Sequence, residues 1–177
     1  MSEVFLAELD ENSANKVAEW KSDNNLSELI MSEFKLTTIE TAKDWIRKNS
    51  KMDSQILRGI YVKDKESLNR TVELVGVCRL MFIDFESRIC ELGIYIGNKS
   101  FRGRGIGEKA ILLLLNIAFR DLKLRKVFLK VNNSNKPAVN LYKKIGFTIE
   151  GVLKEHYKSE KGYEDINYMS FFEENWK

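Results

Sequence analysis

The spacing of apolar positions divides the chain into short blocks. Val4–Leu9 predicts a first strand, and the mixed, polar stretch from Glu11 to Leu36 predicts one or two short helices with Val17, Trp20, Leu26, Leu29 and Ile30 facing inward. Thr37-Thr38-Ile39-Glu40 has the form of a capping box, in which a threonine hydroxyl takes a free helix N–H and the glutamate three residues on reaches back. Ile39, Ala42, Trp45 and Ile46 follow at helical spacing, so this helix should run to about Asn49. Three strand-like runs come next, Ile56–Val62, Val72–Phe82 and Arg88–Ile96. The polar segment Lys63–Arg70 separates the first two and Ile83–Ser87 the last two, so they read as antiparallel hairpins.

The period then lengthens. Arg104–Leu122 predicts a long helix with Ile106, Ala110, Leu113, Leu114 and Ile117 on its apolar face. Lys126–Val131 is a β-rich run. Ser134–Ile145 predicts a shorter helix with Ala138, Leu141, Tyr142 and Ile145 on one stripe, and Gly146 sits where a left-handed, helix-ending residue belongs. Phe147–Tyr157 and Tyr163–Phe172 close the chain as strands around a Lys161-Gly162 turn. The order β-α-α-β-β-β-α-β-α-β-β is an α+β layout with a mixed sheet, and its β-α-β passage through residue 131 requires one parallel pair.

Composition narrows the class. With 177 residues, one proline (Pro137) and no Ser/Gly-rich linker, residues 1–177 read as a single domain. The 44% apolar content is enough for a core. The 29 Lys and Arg against 26 Asp and Glu leave +3, too little excess to argue for a nucleic-acid partner. No apolar run approaches the length of a membrane span, and MSEVFLAELD lacks the basic start of a signal peptide. Cys78 and Cys90 sit inside apolar runs, which predicts reduced core thiols in a cytoplasmic protein. His156 is the single histidine, so multi-histidine metal sites are excluded.

The segment with the clearest chemistry is Glu91–Ile96 followed by Gly97–Phe101 and Arg102-Gly103-Arg104-Gly105-Ile106-Gly107. A strand runs into a glycine-rich loop that opens a long helix. Such a junction aims free backbone N–H groups and the positive end of the helix dipole at one point, and glycines let an anion approach. A phosphate or pyrophosphate is the expected ligand, with Arg102 and Arg104 adding charge. No Lys-Ser/Thr pair follows the glycines, so this is not a Walker loop, and Glu108 stands where a Rossmann fingerprint needs its third glycine. A glycine-rich turn without a ligand is the plain alternative.

The segment Asn135–Phe147 decides between them. Together with the loop it resembles the GNAT superfamily of acetyl-CoA-dependent N-acetyltransferases. The family's R/Q-x-x-G-x-G/A loop is matched by Arg102, Gly105 and Gly107, and its N-x-x-A-x-x-L-Y-x-K-x-G-F motif is matched without a gap from Asn135 to Phe147. Glu150–Leu153 and the Gly-Tyr-x-Asp run at 162–165 are similar to members that acetylate small amines. The resemblance covers roughly residues 70–172. It implies a mostly antiparallel sheet of six to seven strands with helices on both faces, acetyl-CoA as cosubstrate, an amine acceptor and a homodimer paired through the closing strands.

Acetyl transfer to an amine requires that the amine lose a proton, that the carbonyl oxygen be stabilised as it turns negative, and that the leaving thiolate be protonated. An alkyl amine of pKa about 10.4 costs about 4–5 kcal/mol to neutralise at pH 7, against about 1 for an α-amino group near 8. By resemblance Glu91 is the base, often through water, with a structural sheet glutamate as the alternative. The resemblance gives the main chain of Ile94, Tyr95 and Ile96 to the pantetheine arm, with the Tyr95 N–H region as oxyanion donor. The loop from Arg102 and Gly103 through Arg104, Gly105 and Ile106 to Gly107 would hold the pyrophosphate. Tyr142 resembles the general acid, with an aromatic on the core stripe as the alternative; Asn135 resembles a ligand of the CoA arm or a helix cap; and Lys144 reads first as a solvated surface lysine, with a residue within reach of the CoA phosphates as the alternative. Glu28, Glu33, Asp84 and Glu86 would border the acceptor pocket. Polyamines are slightly favoured as acceptors over nucleotide-linked amino sugars and protein α-amines, and a non-catalytic CoA-binding module is the competing class.

Overall fold

The computed structural model describes residues 3–31, 38–63 and 71–176. In chain order they form β1 (Glu3–Ala7), α1 (Ala14–Ser22), α2 (Asn24–Leu29), α3 (Ile39–Ser50), β2 (Ile56–Lys63), β3 (Val72–Asp84), β4 (Ile89–Ile96), α4 (Ile106–Asn116), β5 (Lys126–Asn132), α5 (Lys136–Ile145), β6 (Thr148–Ser159) and β7 (Gly162–Phe172). The strands make one sheet in the order β1-β2-β3-β4-β5-β7-β6. Every pairing is antiparallel except β4 with β5, the parallel pair that the β-α-β passage required.

Helices cover both faces. On one, α4 and α5 bury Ile111, Leu114, Leu115, Val139 and Tyr142 against Cys78, Leu80, Cys90, Leu92, Leu129 and Met169. On the other, α1 and α3 bury Val17, Trp20, Ala42 and Ile46 against Leu57, Leu74 and Val77. The two cysteines are buried free thiols.

Four local expectations change, the first at Leu29, expected to face inward but 44% exposed. The capping box sits one residue later: Thr38 Oγ1 accepts from Thr41 N–H at 3.1 Å, and Thr41 Oγ1 accepts from Thr38 N–H at 3.2 Å. The helix starts at Ile39, so Thr41 rather than Glu40 occupies the third helical position; Thr37 lies outside the described residues. The buried face of α4 is Ile106, Ala110, Ile111, Leu114 and Leu115, while Leu113 is 38% exposed. Four consecutive leucines give a period no single phase. Finally, α4 ends at Asn116 and a wider turn over Ile117–Asp121 follows, closed by Leu122 N–H on the Ile117 carbonyl at 3.0 Å.

Candidate active site

The parallel pairing is short. Ile89, Cys90 and Glu91 stand opposite Lys126, Val127 and Phe128, and there it stops. β4 continues to Ile96 on β3, and β5 continues to Asn132 on β7. The strands therefore part after Glu91 and leave a gap in the middle of the sheet.

Alternation along β4 assigns its side chains to faces. Cys90 and Leu92 are buried with Tyr142, and Ile94 and Ile96 pack against the same cluster. Glu91, Gly93 and Tyr95 therefore face α1 and α3, and Tyr95 packs with the cluster there. Glu91 and Tyr142 thus stand on opposite faces of the sheet, and the gap is the opening between the faces.

Each predicted site residue has a definite place. Tyr142 is 8% exposed, its ring packs edge-on to Phe147 at 5.7 Å, and its hydroxyl makes no hydrogen bond with a described residue. Burial pushes its pKa up to about 12, so it stays protonated. The Glu91 side chain is 13% exposed and pairs with Lys130 Nζ at 3.2 Å, across the parting strands. Asn135 caps α5, its side chain accepting from Ala138 N–H at 3.3 Å. Gly146 ends α5 at φ 118°, as expected.

The main chain of β4 differs from expectation in one respect. A Cβ on Gly76 of β3 would collide with the Tyr95 carbonyl oxygen, so that carbonyl points towards β3. Main-chain groups alternate sides along a strand, so the Tyr95 N–H turns to β3 as well, and those of Ile94 and Ile96 turn to the gap. Of these, the Ile96 carbonyl is already taken by Arg102 Nε at 2.9 Å.

The glycine loop leaves open space beside its backbone. Gly103 and Gly105 hold φ of 72° and 74°, and a Cβ on either would meet nothing within 4 Å. Gly105 is the N-cap of α4 and supplies no side-chain cap, so Ile106 and Gly107 begin the helix with unclaimed N–H groups. The charge is arranged differently from the sequence expectation. Arg102 turns back to the carbonyls of Ile96 and Gly97, at 2.9 and 3.3 Å, and braces the loop instead of facing a ligand. Lys144, its side chain 67% exposed as a surface lysine, pairs with Glu108 in the first turn of α4 at 2.6 Å. Arg104 remains exposed at the loop, stacked over Phe101 at 5.5 Å.

The acids expected around the acceptor separate. Asp84 and Glu86 lie at the β3–β4 hairpin turn, away from the gap end of β4, where Asp84 accepts from the N–H groups of Glu86 and Ser87. Glu33 lies outside the described residues. Glu28 does line a cleft of about 220 Å³ with Asn25, Leu29, Asn132, Ser134, Asn135, Lys161 and Glu164. Sequence reasoning missed Glu164; its signal was the alternation of β7, which turns it towards the end of β5. His156 is exposed on β6. Among the described residues no cluster of His, Cys, Asp or Glu could hold a metal, and no helix is long and apolar enough to cross a membrane.

Residues 3–148 match the family model of the GNAT acetyltransferase domain. The chain belongs to the GNAT acetyltransferase family. It is an N-acetyltransferase, and acetyl-CoA is the acetyl donor of this family. The chain is 25% identical over 176 residues to an uncharacterized N-acetyltransferase, p20, of Bacillus licheniformis, covering 98% of this chain and 94% of that protein. It is 29% identical over 104 residues to the spermidine N(1)-acetyltransferase of Escherichia coli K12, covering 59% and 55%. Its fold matches the crystal structure of spermidine N-acetyltransferase from Vibrio cholerae in complex with CoA and spermine, with a TM-score of 0.83 over 97% and 96% of the chains at 23% identity.

Proposed function

We propose that this GNAT enzyme transfers acetyl directly to a primary amine of a polyamine-like small molecule. The placement of Glu91 and Tyr142 on opposite sides of the β4–β5 gap carries the reading. The amine nitrogen attacks the thioester carbon from the Glu91 face, and its proton passes to Glu91 directly or through water. The carbonyl oxygen, as it becomes negative, takes N–H groups of β4 that face the gap, those of Ile94 and Ile96. The C–S bond breaks, and the Tyr142 hydroxyl protonates the sulfur. The diphosphate rests on the amides at Gly103–Gly107, and Asn135 closes the gap at the start of α5.

The polyamine class draws support from the Glu28–Glu164 cleft beside Asn132 and Asn135, where two carboxylates can hold a distal ammonium, and from the spermidine acetyltransferases among the relatives. A cytoplasmic location is supported by the two free thiols. A homodimer is supported by β6, a twelve-residue edge strand that exposes Ile149, Val152 and Leu153. Thiol release from acetyl-CoA with a panel of polyamines, amino sugars and peptides tests the function. Turnover of spermidine-like amines above the others is the expected result. CoA binding without turnover of any amine would overturn it in favour of a binding module.

A further inference from the structure

Acetyl transfer through Glu91 and Tyr142 leaves one amine of the protein itself unused beside the base. Lys130 of β5 lies two residues beyond Phe128, where the parallel ladder with β4 ends. Its neighbours Leu129 and Val131 are buried with Tyr142, so alternation turns Lys130 to the opposite face, that of Glu91. There its Nζ crosses between the parting strands to Glu91 at 3.2 Å. The Glu91 side chain is 13% exposed and that of Lys130 40%, so the fold holds the carboxylate while the ammonium has room to turn. Lys126, four residues back on the same face, is placed differently. It stands opposite Ile89, where β4 and β5 are still joined, and its Nζ bonds Glu150 at 2.7 Å.

A general base that acts directly needs the nitrogen it serves within about 2.6–3.2 Å. Lys130 Nζ meets that distance on the acceptor's face, beside the gap. It is a primary alkyl amine, the class of nucleophile that the proposed reaction uses. What distinguishes it from an external amine is its tether, which removes the entropic cost of encounter. An ion pair this exposed is weak, so the nitrogen can leave the carboxylate for a carbonyl. We propose that Lys130 is an internal acetyl acceptor, taking the acetyl group of bound acetyl-CoA when no external amine holds its place at Glu91. The ammonium first gives one proton to Glu91, which passes it to water. The neutral nitrogen attacks the thioester carbon and the C–N bond forms. The C–S bond breaks, its electron pair leaves with the sulfur, and Tyr142 protonates the sulfur and recovers a proton as the nitrogen loses its second. The net change is one acetyl group on Lys130, one free thiol and one proton released. This inference rests on the acetyl-transfer reading of Glu91 and Tyr142, but not on the polyamine class.

The test follows the label and the turnover separately. Wild type, Tyr142→Phe and Lys130→Arg are incubated with isotope-labelled acetyl-CoA and no amine, then digested and mapped by mass spectrometry. One acetyl group should appear at Lys130 of wild type at least tenfold faster than at Lys126, and tenfold dilution of the enzyme should leave the rate unchanged, because the transfer is within one chain. Lys130→Arg keeps a cation for Glu91 but offers no acceptor nitrogen, so its label should fall to background. Label at Lys130 no greater than at Lys126, or a rate that falls with dilution, would overturn the proposal. Tyr142→Phe should slow labelling and amine turnover alike; labelling that persists when turnover collapses sinks the shared site. An amine that the enzyme turns over should slow the labelling, and undiminished labelling beside turnover also counts against a shared place. Specific label at Lys130 without acetylation of any added amine would sustain the inference and sink the polyamine reading. Turnover of amines with Lys130 unlabelled would leave the proposed function standing and remove the inference.

Discussion

Replacing Tyr142 by Phe removes one oxygen and leaves the ring against Phe147. The hydroxyl makes no hydrogen bond with a described residue, so its loss should change the stability of the fold by less than about 1 kcal/mol. The effect on turnover is of another size. A phenol held at about 12 would give its proton reluctantly to a thiolate of ordinary pKa about 8.5, a gap of about 5 kcal/mol. A leaving thiolate held in the gap beside this core would have its own pKa raised by burial, as the Cys90 thiol is, to about 12. With the two matched, the transfer is nearly balanced and general-acid catalysis can contribute about 10²–10⁴-fold. Tyr142→Phe is expected to lower kcat by roughly 10²–10³ while the KM for acetyl-CoA and the unfolding temperature hold. Steady-state thiol release over pH 6–9, beside a thermal melt, checks it. Because Tyr142 stays protonated throughout, wild-type kcat should show no fall in that range from its ionisation. A variant with kcat within threefold of wild type would refute the general-acid argument.

Glu91→Gln should cut kcat/KM about 10²-fold at pH 7, and the deficit should shrink as pH nears the amine's own pKa; a profile parallel to wild type would remove Glu91 as the base. Gly105→Val forces a β-branched residue to φ 74°, a strain of at least about 1–2 kcal/mol, and places methyl groups where the diphosphate would lie. Acetyl-CoA affinity, by calorimetry, should fall tenfold or more, and unchanged affinity would refute the phosphate loop. Lys21 is held at about 8 by burial and by Arg79. Its folded pKa lies below the unfolded value of about 10.4, so the unfolded chain binds more protons between the two and stability rises with pH across that window. Below pH 8 both states are protonated and the buried ammonium costs on the order of 3 kcal/mol. Lys21→Met should recover about 1–3 kcal/mol at pH 7 and flatten the rise between pH 8 and 10 in denaturant melts; an unchanged slope would show that another group titrates.

Much of this protein is local and was therefore open to reading along the chain. Strand and helix periods, the Asn135 and Gly146 caps, and the turn glycines all depend on contacts within a few residues. The order of elements alone demands the parallel pair. Other features depend on partners far along the chain. The inward face of the leucine run in α4 was settled by the sheet beneath it, and Arg102 was turned inward by the carbonyls that end β4. The close approach of Gly76 took the Tyr95 amide away from the gap, and the short β4–β5 ladder put Glu91 and Tyr142 on opposite faces. The cluster of Trp20, Trp45, Arg79 and Tyr95 joins residues from α1, α3, β3 and β4. No periodicity within one segment encodes such a meeting, because it exists only once separate elements have buried their apolar faces on a common sheet.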